Sequence, residues 1–132
     1  MNTKTVVLTG STGAFGKFLA FEFLKHDNIK LILLVRGGSP EEARVRVQDI
    51  INKKPDHVEV LQADLLKEYL GLSQSEYEDL AKRTTHILHS AASTRFNLPL
   101  EEARLHNVVT TEKILDFAKK CPHLIRFGFL ST

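Results

Sequence analysis

The sequence holds a single cysteine, Cys121. No internal disulfide is available to it, and such sparing cysteine use fits a reducing compartment, the cytoplasm. Cys121 itself reads as a structural residue near a helix end. No apolar run reaches the roughly 18 residues of a transmembrane helix, so a helical span is excluded. In MNTKTVVLTG the apolar run before Gly10 is too short for a signal peptide and reads as a first strand. Neither sign of charge dominates: 18 basic and 16 acidic residues leave a net charge of +2. That balance gives no footprint for a polyanion, so nucleic acid is not an expected partner. Repeats, low-complexity tracts and interdomain linkers are missing too. What remains is 132 residues, 42% of them hydrophobic, which is enough for one domain with its own core.

Within those limits, apolar runs of strand length alternate with helical stretches. KTVVLTG is a strand, and GKFLAFEFLKH after it spaces its apolar residues for a helix. IKLILLVR is nearly all apolar, as a strand covered on both faces should be. SPEEARVRVQDIINK opens on Ser39, Pro40 and Glu42, a capping box with proline in the first turn, and reads as one helix. HVEVLQAD is a third strand. SQSEYEDLAKR places Ser73 with Glu76, and Ser75 with Glu78, at capping-box spacing. THILHSA is a fourth strand, LPLEEARLHNVVTTEKILDFAKKC a long helix with Pro99 near its start, and HLIRFGFLST a fifth, buried strand. Strictly alternating elements imply right-handed crossovers and a parallel sheet. The expected fold is α/β, a Rossmann-type doubly wound parallel sheet of five strands in the order 3-2-1-4-5, with residues 1–132 as one dinucleotide-binding domain.

Between the first strand and the first helix, LTGSTGAFGKF sets Gly10, Gly13 and Gly16 in a G-x-x-G-x-x-G pattern. The first glycine permits a tight turn and the second lets backbone N–H groups approach a pyrophosphate. The third lets the helix pack closely on the sheet, and the helix N-terminus adds partial positive charge. A glycine triplet alone is a weak signal, but its strand–turn–helix setting makes it a dinucleotide site. The second strand ends at Val35, and Arg36 stands where an NAD site would carry an acid for the ribose 2′-hydroxyl. A guanidinium there suits a 2′-phosphate, so NADP(H) is the expected cofactor. Arg44 and Arg46 follow in the next helix, either beside the same pocket or on a solvated face. Asp64, after the third strand, is either an acceptor for the adenine amino group or a helix-start aspartate.

Other groupings carry less. His86 and His89 suggest a metal pair, but three positions apart on a strand they point to opposite faces, and no cluster completes a site. No metal is expected. Glu41, Glu42, Glu101 and Glu102 sit in first helical turns, where they suit the helix dipole. Phe18, Phe21 and Phe23 read as core, whereas Phe96 has a plausible substrate-facing role.

TGSTGAFG, LLVRGGSPEEARVRV, ADL, HSAASTRFNLPLEEARLHNV and LST follow one another in an order that resembles the extended short-chain dehydrogenases/reductases. The stretch from His89 to Asn107 is most similar to the branch containing fatty acyl-CoA reductases and thioester reductase domains. The resemblance implies reduction of an acyl thioester, on coenzyme A or a carrier protein, by NADPH to an aldehyde or alcohol. It also implies that Gly10, Ser11, Thr12, Gly13, Phe15 and Gly16 surround the pyrophosphate. Arg36 and Arg46 would hold the 2′-phosphate, and Asp64 and Leu65 would meet the adenine. Ala91 and Ala92, with His89 before them, would line the nicotinamide side, and Asn107 would support the active-site architecture. Thr132 would be the catalytic hydroxyl on the substrate carbonyl, with Ser131 as its neighbour. Two positions depart from the family pattern: Ala14 replaces an aromatic after the second glycine, with Phe15 one place later, and Thr110 replaces a glycine three residues after Asn107.

The family's proton donor is a Tyr-x-x-x-Lys pair. Tyr69 is followed four residues on by Ser73 and Tyr77 by Ala81, so neither completes it. The expectation is that the chain is the N-terminal, cofactor-binding portion of a longer enzyme whose substrate domain is absent, inactive by itself. Rival readings are a nucleotide-sugar epimerase or dehydratase of the same superfamily and a non-catalytic dinucleotide sensor. An unpaired fifth strand would leave a sheet edge able to pair with a second copy as a homodimer.

Overall fold

KTVVLT and IKLILLV become neighbouring strands in the middle of the sheet because their side chains are apolar on both faces. A computed structural model describes residues 3–90 and 100–129. Strands β1 (Lys4–Thr9), β2 (Ile29–Val35), β3 (Val58–Gln62), β4 (His86–His89) and β5 (Arg126–Phe129) form one sheet in the order β3-β2-β1-β4-β5. Every pairing is parallel; Val6 to Leu8 of β1 lie opposite Leu31 to Leu33 on one side and His86 to Leu88 on the other. The chain turns back across the sheet between β1 and β4, so a crevice opens at their C-terminal ends.

Helices cover both faces. Helices α1 (Ala14–Phe23), α2 (Pro40–Arg46) and α3 (Gln48–Lys53) pack Ala20, Ala43, Val47 and Ile50 against Val6, Leu8, Leu31 and Leu33. On the other face α4 (Gln74–Arg83) and α5 (Leu100–Lys119) pack Tyr77, Leu80, Ile114 and Phe117 against Val7, Ile32, Leu34 and Ile87. Alternate residues of each strand thus serve alternate cores, the two-residue period of a pleated strand.

Three departures from the sequence reading concern the packing of these elements. SPEEARVRVQDIINK is two helices, broken at Val47, whose φ of −124° and ψ of 24° leave the helical region. The β-branched Val45 and Val47 hold helix poorly, and Val47 is wholly buried at the break. Phe18 is not core: it is 56% exposed, with its ring tilted against Phe15 at 6.3 Å, while Gly16 and Ala20 of α1 and its C-cap Leu24 face inward. β5 is not a buried strand. As an edge of the described sheet it has Arg126 and Phe129 exposed and Phe127 and Gly128 half-buried. Between β3 and α4, ADLLKEYLGL folds as a turn with a 3-10 segment at Glu68–Gly71, where Tyr69 and Leu70 take φ of 56° and 58°. Tyr69 is anchored edge-on against Tyr77 at 5.4 Å, and Tyr77 against Phe117 at 5.2 Å.

Candidate dinucleotide-binding site

The glycine loop is built as its spacing requires. Gly10 turns the chain at φ 79°, a backbone conformation that disfavours any side chain, and a Cβ there would overlap the Ser90 carbonyl. A Cβ on Gly16 would run into the Gly10 carbonyl, so α1 rests directly on the turn. Gly13 meets only ordinary contact at 3.5 Å and faces outward. It is the N-cap of α1, where no side chain supplies a cap and no acid stands in the first turn. The first N–H groups of that helix are therefore left for an anion. Ser11 adds a second indication: its Oγ is buried and has no hydrogen-bond partner. A buried hydroxyl without a partner is costly unless a ligand completes it. Thr12 and Phe15 flank the loop on its exposed side. Lys17 on α1 meets Asp49 on α3 at 2.8 Å, and its ammonium holds the aspartate below its ordinary pKa.

At the end of β2, Arg36 and Arg46 are brought together: the Arg46 guanidinium donates to the Arg36 carbonyl at 2.5 Å. Both side chains are exposed, and Arg44 is a further exposed cation on α2. Glu42 completes only half of the expected capping box. Ser39 Oγ accepts from the Glu42 N–H at 3.1 Å, but the Glu42 carboxylate reaches one residue further back, to the Gly38 N–H at 2.9 Å. Gln62 at the end of β3 donates to the Gly37 carbonyl at 2.6 Å, pinning the same loop.

Asp64 starts a turn rather than a helix, with one carboxylate oxygen accepting from the Leu66 N–H at 3.0 Å. Leu65 is buried in the core beneath it, so its side chain packs with Leu34 and Leu70. Asn107 is half-buried on α5. Ala91, Ala92, Phe96, Ser131 and Thr132 lie outside the described residues. Cys121 is buried, its Sγ donates to the Phe117 carbonyl at 3.3 Å, and burial pushes its thiol up to about 11, which suits a structural residue. A groove of about 450 Å³ between Tyr69, Tyr77 and the lysines 113, 119 and 120 includes none of the glycine-loop residues.

The residues missed by sequence reasoning are Thr9, Ser90 and Thr111, which surround His89. His89 is 1% exposed, its Nδ1 lies 2.8 Å from Thr9 Oγ1, and its ring stacks on Phe129 at 5.7 Å. Ser90 Oγ donates to the Thr9 carbonyl at 2.6 Å. No local pattern announces these contacts, because the partners are 22 to 81 positions apart.

A doubly wound parallel sheet with an uncapped, acid-free helix behind a glycine turn defines a dinucleotide-binding protein. Comparison with known proteins narrows this. Residues 8–132 match the NAD-binding family described as male sterility protein, and the chain belongs to that family. Its cofactor is a nicotinamide dinucleotide. It is 31% identical to mouse fatty acyl-CoA reductase 2 over 99% of its length, and 33% identical to a carboxylic acid reductase of Mycobacterium marinum over 87%. It spans 28% and 11% of those two proteins. Among solved structures, the reductase domain of a non-ribosomal peptide synthetase from Mycobacterium tuberculosis superposes with a TM-score of 0.82 at 30% identity. That match covers 99% of this chain and 33% of the other. A UDP-glucuronic acid 4-epimerase from Bacillus cereus, at 19% identity and a TM-score of 0.72, shares the fold alone.

Proposed function

We propose that the chain supplies the NADP(H)-binding part of an oxidoreductase that reduces an acyl thioester, on coenzyme A or a carrier protein, to an aldehyde or alcohol. The observation that carries the reading is similarity over nearly the whole chain to proteins named fatty acyl-CoA reductase, carboxylic acid reductase and synthetase reductase domain. The bound dinucleotide supplies the hydride. The chain's own residues bind and orient it. The N–H groups at the start of α1 and the Ser11 hydroxyl take the pyrophosphate, and the free carboxylate oxygen of Asp64 accepts from the adenine amino group. The guanidinium groups of Arg36 and Arg46 take the 2′-phosphate, a role supported by the Arg46 side chain reaching the Arg36 backbone at the end of β2. The roles of Ala91 and Ala92 beside the nicotinamide, Asn107 in support, and Thr132 on the substrate carbonyl belong to the same proposal.

Two experiments test it. Calorimetry should show NADPH binding more tightly than NADH, and Arg36→Ala should weaken NADPH by about 1.5–3 kcal/mol while leaving NADH nearly unchanged. Equal affinities, or an indifferent Arg36→Ala, would overturn the NADP(H) assignment. For the reaction, the intact protein is supplied with NADPH and a series of acyl-CoA and carrier-bound thioesters. A complete lack of NADPH oxidation would sink the reductase reading. We also propose that the β5 edge pairs with a second copy, giving a homodimer; a monomeric sedimentation profile at high concentration would count against that.

A further inference from the structure

A chain of hydrogen bonds joins the glycine turn to α5. The Ser90 N–H donates to Thr9 Oγ1 at 2.9 Å. Thr9 Oγ1 lies 2.8 Å from His89 Nδ1, and His89 Nε2 lies 3.4 Å from Thr111 Oγ1. Thr111 Oγ1 donates to the Asn107 carbonyl at 2.6 Å.

The hydroxyl hydrogens assign the tautomer. A threonine hydroxyl has one hydrogen, and Thr111 gives its own to the Asn107 carbonyl, so towards His89 it can only accept. Nε2 therefore carries the ring proton, and Nδ1 presents a lone pair to the Thr9 hydroxyl. Thr9 Oγ1 in turn accepts from the Ser90 N–H. Every donor meets an acceptor, and all point the same way. In the other tautomer the Nε2 lone pair would face an oxygen lone pair on Thr111, and the Thr9 hydrogen would lose its acceptor.

We propose that His89 is a positioning residue for the dinucleotide site: as a neutral ring in one tautomer, it is the strut that holds the glycine turn against the turn of α5 bearing Asn107. This inference rests on the dinucleotide reading of the loop. Thr9 immediately precedes Gly10, and Ser90 fills the space where a Gly10 side chain would be. The exits of β1 and β4 are thus clamped at the crevice where the cofactor's ring end lies in this fold. Among the described residues, the groups touching the ring are uncharged: Thr9 from β1, Phe129 from β5 and Thr111 from α5. The charged and titratable groups of the surrounding elements include Lys4, His86 and Arg126 on the strands, and His106, Glu112 and Lys113 near Thr111 on α5. Burial lowers the ring's pKa. A second ring proton would point Nδ1–H at the Thr9 hydroxyl hydrogen and reverse the first half of the chain.

The test uses the intact protein. Nitrogen-15 NMR of the histidine rings should find His89 neutral with its proton on Nε2 at pH 7 and still neutral at pH 5.5. Thr111→Val, which keeps the shape and removes the acceptor, should weaken dinucleotide binding roughly three- to tenfold, the effect of one hydrogen bond. Thr111→Ser should restore affinity to within about twofold of the wild type. An Nδ1–H tautomer, protonation at an ordinary histidine pKa, or Thr111→Val binding like the wild type would overturn the proposal. A wild type that binds no dinucleotide overturns the cofactor reading as well, so the two failures are told apart by the unmutated protein.

Discussion

Gly16 and His89 are the positions where one atom more or one proton more has the largest effect. Gly16→Ala drives a methyl group into the Gly10 carbonyl, and backbone against backbone cannot yield as a side-chain tip does. We expect a loss of about 2 kcal/mol or more in thermal unfolding together with loss of dinucleotide binding; a stable Gly16→Ala that binds normally would refute the close-packing role. For His89, burial lowers the pKa from 6.5 to about 4 in the folded chain. Above pH 6.5 neither state takes up the proton, and the stability is fully present. Between pH 6.5 and about 4 the unfolded chain binds a proton that the folded chain refuses, so stability falls as acid is added, by roughly 3 kcal/mol in total. Urea titrations at pH 7 and pH 4.5 should show that loss, reduced in His89→Gln. The turn at Gly10 and the close packing at Gly16 were legible because each follows from a glycine at one place after a strand. Thr9 and Thr111 were not, since a hydroxyl contacting a ring 80 or 22 positions away leaves no trace in local spacing.

At the scale of elements, the two capping signals separate what sequence spacing can decide. Ser73 and Glu76 form a complete box: the hydroxyl accepts from the Glu76 N–H at 3.2 Å, and the carboxylate accepts from the Ser73 N–H at 3.3 Å. Ser75 and Glu78, with the same spacing, fall inside α4 and do not form one. Ser73→Ala should therefore cost roughly 1 kcal/mol by chemical denaturation, and Ser75→Ala much less; equal losses would mean the wrong serine caps the helix. The five strands and their order were readable because strand and helix alternate without exception, which leaves few topologies. The break at Val47 and the left-handed pair Tyr69–Leu70 were not. The break at Val47 has no glycine, asparagine or proline to announce it, and beside Tyr69–Leu70 the one such signal, Gly71 at φ 76°, does not extend to the two bulky residues before it; these are held by the aromatic contacts among Tyr69, Tyr77 and Phe117 and by the burial of Leu70. The exposure of β5 was hidden for a similar reason, since RFGF is apolar enough for an interior strand and only the sheet order makes it an edge.

At the scale of the molecule, cofactor and stability are linked, because the loop, α1 and both central strands meet at one crevice. NADPH at a hundred times its Kd should raise the unfolding free energy by about 2.7 kcal/mol, and Arg36→Ala should remove the advantage of NADPH over NADH in the same melting assay. A melting temperature indifferent to either dinucleotide would contradict the site. The position of β1 has a kinetic consequence too. It precedes the other four strands in sequence yet ends in the middle of the sheet, flanked by β2 on one side and β4 on the other. The β2 side closes over a short helical crossover, whereas contacts on the β4 side, such as Thr5 with Thr85 and Thr9 with His89, bridge 80 residues. Loop-closure entropy makes the longer pairing the slower one. A chain with only its first three strands assembled would hold the glycine turn without the His89 contacts, so the turn gains its support late, when β4 pairs with β1.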